Sequence, residues 1–424
     1  MNIAIFTPLP PLKTGIADYS YDLVVGLSKI KNLNITVYTN TNAYINDEIE
    51  VLNVTKINKQ NYEDFELIIY QFGNNIEFHA YMYEILKKHS GIIHLHDIVL
   101  HQVLAHTLDY KNNIQGYLHT IRKLYGEKIS LYLNELLNIN IKPWRISLVT
   151  KLPCFEEFVQ YSDACIVHSD FALKKVKDKF STKPSYKIDQ LYNLSPLAKE
   201  GNSTLRFGVF GGVEVNRRVE TIIESFAKVI ASNKNINVEL IIVGTVTQRC
   251  KDIFDLPKKY NIEDYVYFYN YVDNQEFLRL LNSVDLLIAL RDPTVGETSA
   301  VVSKALQLNI PIVVSNVGWY SELPDFVDKI SNENIKEELT VLLTNYISNK
   351  NLLSEKRELT GAYSKQKLNF DDYIQNYYLI IKTQISLRSD KYVTKKLVSY
   401  VKEFDLQEDS TSIERISKKL QILF

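Results

Sequence analysis

Residues 290–325 read LRDPTVGETSAVVSKALQLNIPIVVSNVGWYSELPD, and the fold class follows from how that stretch is punctuated. A solid apolar run at 286–290 leads into a polar turn that ends Gly296-Glu297-Thr298-Ser299. The apolar spacing then becomes helical over 301–308 and returns to a strand-like run at 310–314. Strand, turn, helix and strand in that order make the repeating piece of a parallel α/β sheet. Ser, Thr and Glu before a helix can simply cap it. The same turn also presents free N–H groups and the positive end of a helix dipole, which favour an anion such as phosphate. Glu297 at its lip is an acceptor for hydroxyls, so the turn suits a ligand carrying a phosphate and a polyol side by side.

The same alternation runs outward in both directions. Strands are predicted at 3–6, 35–38, 67–70, 91–95 and 164–167, and again at 205–210, 238–243, 266–269, 286–290 and 310–314. Helices are predicted after Ile16, around 78–88, across 113–161, and at 219–231, 275–282 and 301–308. The polar stretch SPLAKEGNS at 195–203 divides the two halves. The domains are therefore expected at 1–195 and 204–365, with C-terminal helices over 366–424.

The chain has 424 residues, 46% of them hydrophobic and 23% charged, enough for two cores in an ordinary globular protein. A formal net charge of −1 gives no global field toward nucleic acid or anionic lipid. The three cysteines, Cys154, Cys165 and Cys250, suit neither a disulfide framework nor a zinc site. The start, MNIAIFTPLP, lacks the basic and long apolar regions of a secretory signal, and no run approaches the length of a membrane span. These features predict a cytoplasmic protein.

Three further constellations carry chemistry. The loop Pro10-Pro11-Leu12-Lys13-Thr14-Gly15-Ile16 follows the first strand, and Gly15 allows a close backbone approach to a phosphate. The strand ending at Leu95 places His96 and Asp97 at the carboxyl edge of a sheet, where doubly wound domains bind ligands. The turn Gly211-Gly212 is followed by Arg217 and Arg218, two cations suited to a pyrophosphate. All eight histidines precede residue 170, yet His96, His101 and His106 are five apart and spread around a helix, which argues against a metal site. Ser169, in His168-Ser169-Asp170, is expected to cap a helix.

Together these motifs resemble family 4 glycosyltransferases, most closely a subgroup with Gly-Glu-Thr-Ser after the fourth strand of the second domain. The resemblance covers about residues 1–385 and implies the GT-B fold: two facing Rossmann-like, doubly wound parallel-sheet domains with a helical C-terminal extension. It implies that a helix at 370–385 crosses back onto the first domain. It implies a retaining transferase that needs no cofactor beyond its nucleotide-sugar donor, acting on a glycan or lipid-linked glycan acceptor in bacterial surface glycan synthesis; with no Asp-x-Asp motif at a strand end, the transfer is expected to be metal-independent. A lipid-linked acceptor would add peripheral contact with the inner membrane face. In this reading His96 and Glu297 orient the transferred sugar. Gly15, Asp97, Arg217, Arg218, Gly296, Thr298, Ser299 and Lys304 bind the donor, and no residue holds a metal. The chain departs from the family where Gly212 replaces an arginine and Lys304 replaces the second carboxylate of Glu-x7-Glu. Those departures leave a non-catalytic nucleotide-sugar-binding subunit open; another GT-B chemistry, such as epimerisation or inverting transfer, is the rival reading among enzymes.

Overall fold

The computed structural model describes residues 1–54, 62–108, 112–194, 204–233 and 236–403, with side chains through residue 390. Parallel pairing organises it into two sheets. The first contains β1 (Asn2–Phe6), β2 (Asn34–Thr39), β3 (Glu50–Asn53), β4 (Leu67–Phe72), β5 (Ile92–Leu95), β6 (Ala164–Val167) and β7 (Ser185–Lys187). Its spatial order is β3-β2-β1-β4-β5-β6-β7. The second contains β8 (Leu205–Phe210), β9 (Val238–Val243), β10 (Val266–Tyr269), β11 (Leu286–Ala289), β12 (Ile312–Ser315) and β13 (Asp328–Ile330), ordered β10-β9-β8-β11-β12-β13. Both sheets are Rossmann-like, reversing direction beside their first strand, between β1 and β4 and between β8 and β11. At such a switch point the connecting helices diverge to opposite faces and leave a crevice at the strands' carboxyl ends.

The central strands are mostly apolar because helices cover both faces, with Gln71 in β4 and His94 in β5 as buried polar exceptions. In β1, Ile3 and Ile5 pack on one side while Ala4 and Phe6 pack on the other, and β4 divides in the same way. Three strands escaped the sequence pattern: β3, β7 and β13. Each lies at or beside a sheet edge or is very short, and β3 and β7 are only partly buried, so no strong alternation marks them. The stretch predicted as one long helical region at 113–161 divides into Ile114–Tyr125, Glu127–Asn138 and shorter turns, broken by Gly126 at φ +90°. The expected division at 195–203 and the tail 404–424 lie outside the described residues.

The helix Phe370–Glu403 returns to the first sheet. Its Tyr373, Ile374, Tyr377 and Ile381 are buried in the same cluster as Ile3, Ile5 and Ile69. The approach to the helix Gly15–Ser28 is close: a Cβ added at Gly26 would lie 2.4 Å from Ile374 Cδ1. Gln384 donates to the Tyr186 hydroxyl at 2.7 Å, and Arg388 pairs with Asp163 at 3.4 Å. Among the described residues no helix is long and apolar enough to cross a membrane. Since Ile381 is fully buried, Ile381→Ala is expected to lower stability by about 2–5 kcal/mol in chemical denaturation. A loss near zero would mean the returning helix is not docked as described.

Candidate functional site

The loops at the two switch points meet. A Cβ on Gly15, at the end of the β1 loop, would come within 3.2 Å of Ala300 Cβ in the second domain. Gly296, at φ +76°, leaves no room for a Cβ, which would sit 2.2 Å from Ile98 Cγ2 in the first. Two glycines from opposite domains therefore set how closely the crevices approach. Further bonds hold the halves together: Thr298 Oγ1 donates to Gln190 Oε1 at 2.8 Å, and Gln307 makes two bonds to the Tyr192 backbone. Glu322 accepts from the Asp170 N–H at 2.8 Å and from the Phe171 N–H, at the start of the helix Asp170–Lys179. Ser169 caps that helix, accepting from Ala172 N.

The loop between β11 and the helix Ala300–Gln307 is organised by Arg291, which sequence reasoning passed over. Its guanidinium is buried and donates to Glu297 Oε1 at 2.8 Å and to the Leu290 carbonyl at 2.7 Å. Glu297 Oε2 accepts from Thr294 Oγ1 at 3.0 Å and Val295 N at 2.9 Å. Glu297 thus closes its own loop, with lone pairs remaining for a ligand. Helix begins only at Ala300, with Ser299 as cap accepting from Val302 N, so Thr298 and Ser299 precede the first helical turn.

Arg217 lies over the Gly211 turn, where a Cβ would meet Nη1 at 2.5 Å, and donates to the Phe210 carbonyl at 2.9 Å. Burial, with the neighbouring Arg291 charge adding, lowers its pKa to about 10, so it remains a cation at neutral pH. The space beside Gly212 is open: a Cβ added there would have the Thr245 carbonyl, at 3.9 Å, as its nearest neighbour. Arg218 takes the left-handed conformation at φ +53° and pairs with Asp292. Lys304 reaches out of the second domain to Asp18 in the first, at 3.3 Å, and to Asn274 Oδ1 at 3.5 Å. The rings of Tyr192 and Phe277 flank its ammonium at 4.6 and 5.6 Å. The spacing of Lys304 from Glu297 gave no sign of that partner.

On the first-domain side, Asp97 accepts from Asn74 N at 2.7 Å and lies by the Gly73 turn. Burial, with the Glu297 charge adding and the Asn74 N–H opposing, pushes its carboxyl up to about 6. His79 stands at the same turn, its Nε2 buried without a partner among the described residues. His96 is buried, with Nε2 at 2.7 Å from Gln71 Oε1 and Nδ1 at 3.1 Å from His168 Nε2. Its ring is therefore engaged inside the domain, and its peptide N–H is bonded to the Phe72 carbonyl at 2.8 Å. His101 is tied to Tyr117 and to the Leu152 carbonyl, away from any cluster.

The arrangement is a crevice between two sheets lined by the buried Arg291 guanidinium, the half-buried Arg217 guanidinium, two carboxylates and a short helix start. Residues 204–343, the second sheet and its helices, match the sequence model of the family described as "Glycosyl transferases group 1". No protein of curated function matches the sequence. The structure is similar to sucrose-phosphate synthase from Thermosynechococcus elongatus, at 12% identity and a TM-score of 0.64, over 91% of this chain and 100% of that one. It is similar to Anabaena HepE in complex with UDP and glucose, at 12% identity and a TM-score of 0.62, over 90% and 100%. It is also similar to WaaG, a glycosyltransferase involved in lipopolysaccharide biosynthesis, at 13% identity and a TM-score of 0.59, over 90% and 99%. At such identities the likeness establishes the fold, two Rossmann-like domains in the GT-B arrangement.

Glu297→Ala leaves the Arg291 guanidinium buried without its carboxylate, and a loss of about 3–5 kcal/mol is expected from denaturant titration. Adding Arg291→Met should recover part of it. Strict additivity of the two substitutions would show that the pair does not hold the loop.

Proposed function

We propose that this chain is a nucleotide-sugar-dependent glycosyltransferase of family 4, moving a sugar with retention from a nucleoside diphosphate to a hydroxyl of a glycan or lipid-linked glycan. The observation that supports it most is the group 1 match over residues 204–343, which contains the cluster of Arg217, Arg291 and Glu297 at the sheet's switch point. A nucleotide-sugar donor is supported by HepE, whose structure has been determined with UDP-glucose. A role in bacterial surface glycan synthesis is supported by WaaG, which acts in lipopolysaccharide biosynthesis. With a lipid-linked acceptor the enzyme would work at the inner membrane face, as a peripheral protein.

In this reading the leaving diphosphate is held by Arg217, by the Gly15 loop, and by N–H groups where Ser299 leads into the helix Ala300–Gln307. Arg218 joins by exchanging Asp292 for phosphate. Preorganised positive charge where negative charge develops is the main electrostatic contribution to such a reaction. The departing phosphate takes the acceptor proton on the same face, so no side chain serves as nucleophile. The absence of an Asp-x-Asp motif at a strand end in the sequence supports transfer without a divalent ion on the diphosphate. Asp97 and Glu297 orient the sugar hydroxyls, a positioning role. His96 supports the sugar site from beneath, its ring held by Gln71 and His168.

Incubating the protein with UDP-, GDP-, ADP- and TDP-sugars, without added magnesium or manganese, and measuring nucleotide release tests the proposal. Slow release from one donor is expected. Binding with a thermal shift but no release, with or without acceptors, would favour the non-catalytic subunit. A changed sugar configuration would favour an epimerase.

The pH dependence tests the sugar side. Ionised, Asp97 accepts from hydroxyls with both oxygens and more strongly, and it ionises above about 6. Turnover should therefore fall as pH drops through that value. Asp97→Asn should turn over more slowly at every pH and lose this acid limb. Asp22, raised to about 6 by burial, is the control: a limb that disappears in Asp22→Asn and persists in Asp97→Asn would overturn the assignment.

A further inference from the structure

The spacing of His96, His101 and His106 spoke against a metal. Tertiary structure assembles a different set. His94 in β5 and His96 just after it are two residues apart and share one face, and His168 follows β6, the neighbouring strand in the sheet. All three are buried, with ring centroids 4.6 to 4.8 Å apart. One ring nitrogen from each lies within 4.8 Å of the others. Tyr19 sets its edge or face against all three rings, and Tyr377 from the returning helix covers His94.

The hydrogen bonds show which nitrogens are spoken for. His168 Nδ1 lies 3.0 Å from the Ile188 carbonyl, which can only accept, so Nδ1 carries the proton and Nε2 presents a lone pair. Gln71 donates through Nε2 to the Tyr377 hydroxyl at 3.3 Å, which directs its Oε1 at His96 Nε2, 2.7 Å away. His96 Nε2 is then the protonated nitrogen and Nδ1 the lone pair. The two lone pairs face each other across 3.1 Å. His94 Nδ1 lies 3.1 Å from the Tyr377 hydroxyl; when Nδ1 donates there, Nε2 is a lone pair, and it is buried with no partner among the described residues. Turning the Gln71 amide over would place a proton between His96 and His168, yet His94 Nε2 would still be unsatisfied. A cation accepting from all three nitrogens satisfies every one of them.

We propose that His94, His96 and His168 form a three-imidazole site for a first-row transition ion of the zinc class. Nitrogen ligands at about 2.0–2.1 Å in tetrahedral array stand roughly 3.3 Å apart, so a pair at the 4.8 Å limit needs a contraction of about 1.5 Å. Burial, and the neighbouring imidazoles, hold His94 and His96 neutral, the ligating form; burial also lowers His168, to about 4. The outer shell is already built: the Ile188 carbonyl holds His168, Gln71 holds His96 and Tyr377 holds His94. The site lies within the first domain, apart from the Arg217 cluster, so it acts by holding β5, β6 and the returning helix together. It does not depend on the transferase reading.

The experiment loads the tag-free full chain with Zn2+ or Co2+ alone, removes excess ion on a desalting column, and measures metal per chain by mass spectrometry. One retained equivalent is expected, with a visible d–d band for the Co2+ form characteristic of four-coordination and a higher melting temperature than the chelator-treated protein. His168→Asn keeps an N–H donor for the Ile188 carbonyl while removing the ligating Nε2, and His94→Asn does the same toward Tyr377. Each should retain less than a tenth of the ion, with a native circular dichroism spectrum. Should one variant fail to fold, the other and the cobalt spectrum still decide. No retained ion in the parent chain, or retention unchanged in a folded variant, would overturn the proposal.

Discussion

A guanidinium taken out of water must find a carboxylate, and in this chain the buried Arg291 finds Glu297 six residues on. Because both ends of that pair belong to one loop, the pairing curls the loop. Thr294 and the Val295 N–H complete the Glu297 carboxylate, and the chain turns at Gly296 before Ser299 caps the next helix. That turn carries Gly296 against Ile98 and brings Ala300 against Gly15. That ion pair thus shapes one of the contacts through which the two domains meet, beside the bonds of Thr298, Gln307, Glu322 and Lys304. Its desolvation cost is offset only by the full set of hydrogen bonds around it.

Charge is distributed across the crevice with its own partners already in place. Lys304 is answered by Asp18, and Arg218 by Asp292. Arg217 donates to a backbone carbonyl, whereas its neighbour Arg291 is neutralised by Glu297. Arg218, Arg291 and Lys304 would each have to leave a carboxylate to engage an anion, whereas Arg217 would leave only a carbonyl. Lys304 stands where the resembled family places a carboxylate, and it ties the helix Ala300–Gln307 to the helix Gly15–Ser28. The substitution exchanges an acceptor for a tie between domains.

The returning helix Phe370–Glu403 makes the first domain dependent on the end of the chain. Tyr373 meets the Tyr19 hydroxyl, and Tyr377 meets both Gln71 and His94. These polar tips lie among apolar side chains, where an unmet hydroxyl would cost about 1–3 kcal/mol. The same helix thereby covers the histidines behind the carboxyl edge of β5.

Much was legible in the sequence because burial leaves a local trace. Strands covered on both faces must be apolar runs, so β1, β4, β5, β6, β8, β9, β11 and β12 could be read directly, and with them a doubly wound α/β class. Gly15, Gly211 and Gly296 could be read because only short polar turns with glycine reach from a strand edge to a helix. The partners of the charged and titratable groups could not be read. Lys304 and Asp18 are 286 positions apart, Arg218 and Asp292 are 74, and His96 and His168 are 72. The edge strands β3 and β7 left little trace because a half-exposed three- or four-residue strand needs no apolar pattern. Periodicity reports whether a residue is buried, which is a property of its own segment. Which residue it is buried against depends on the order in which the strands lie in the sheet, and that order exists only once the chain has folded.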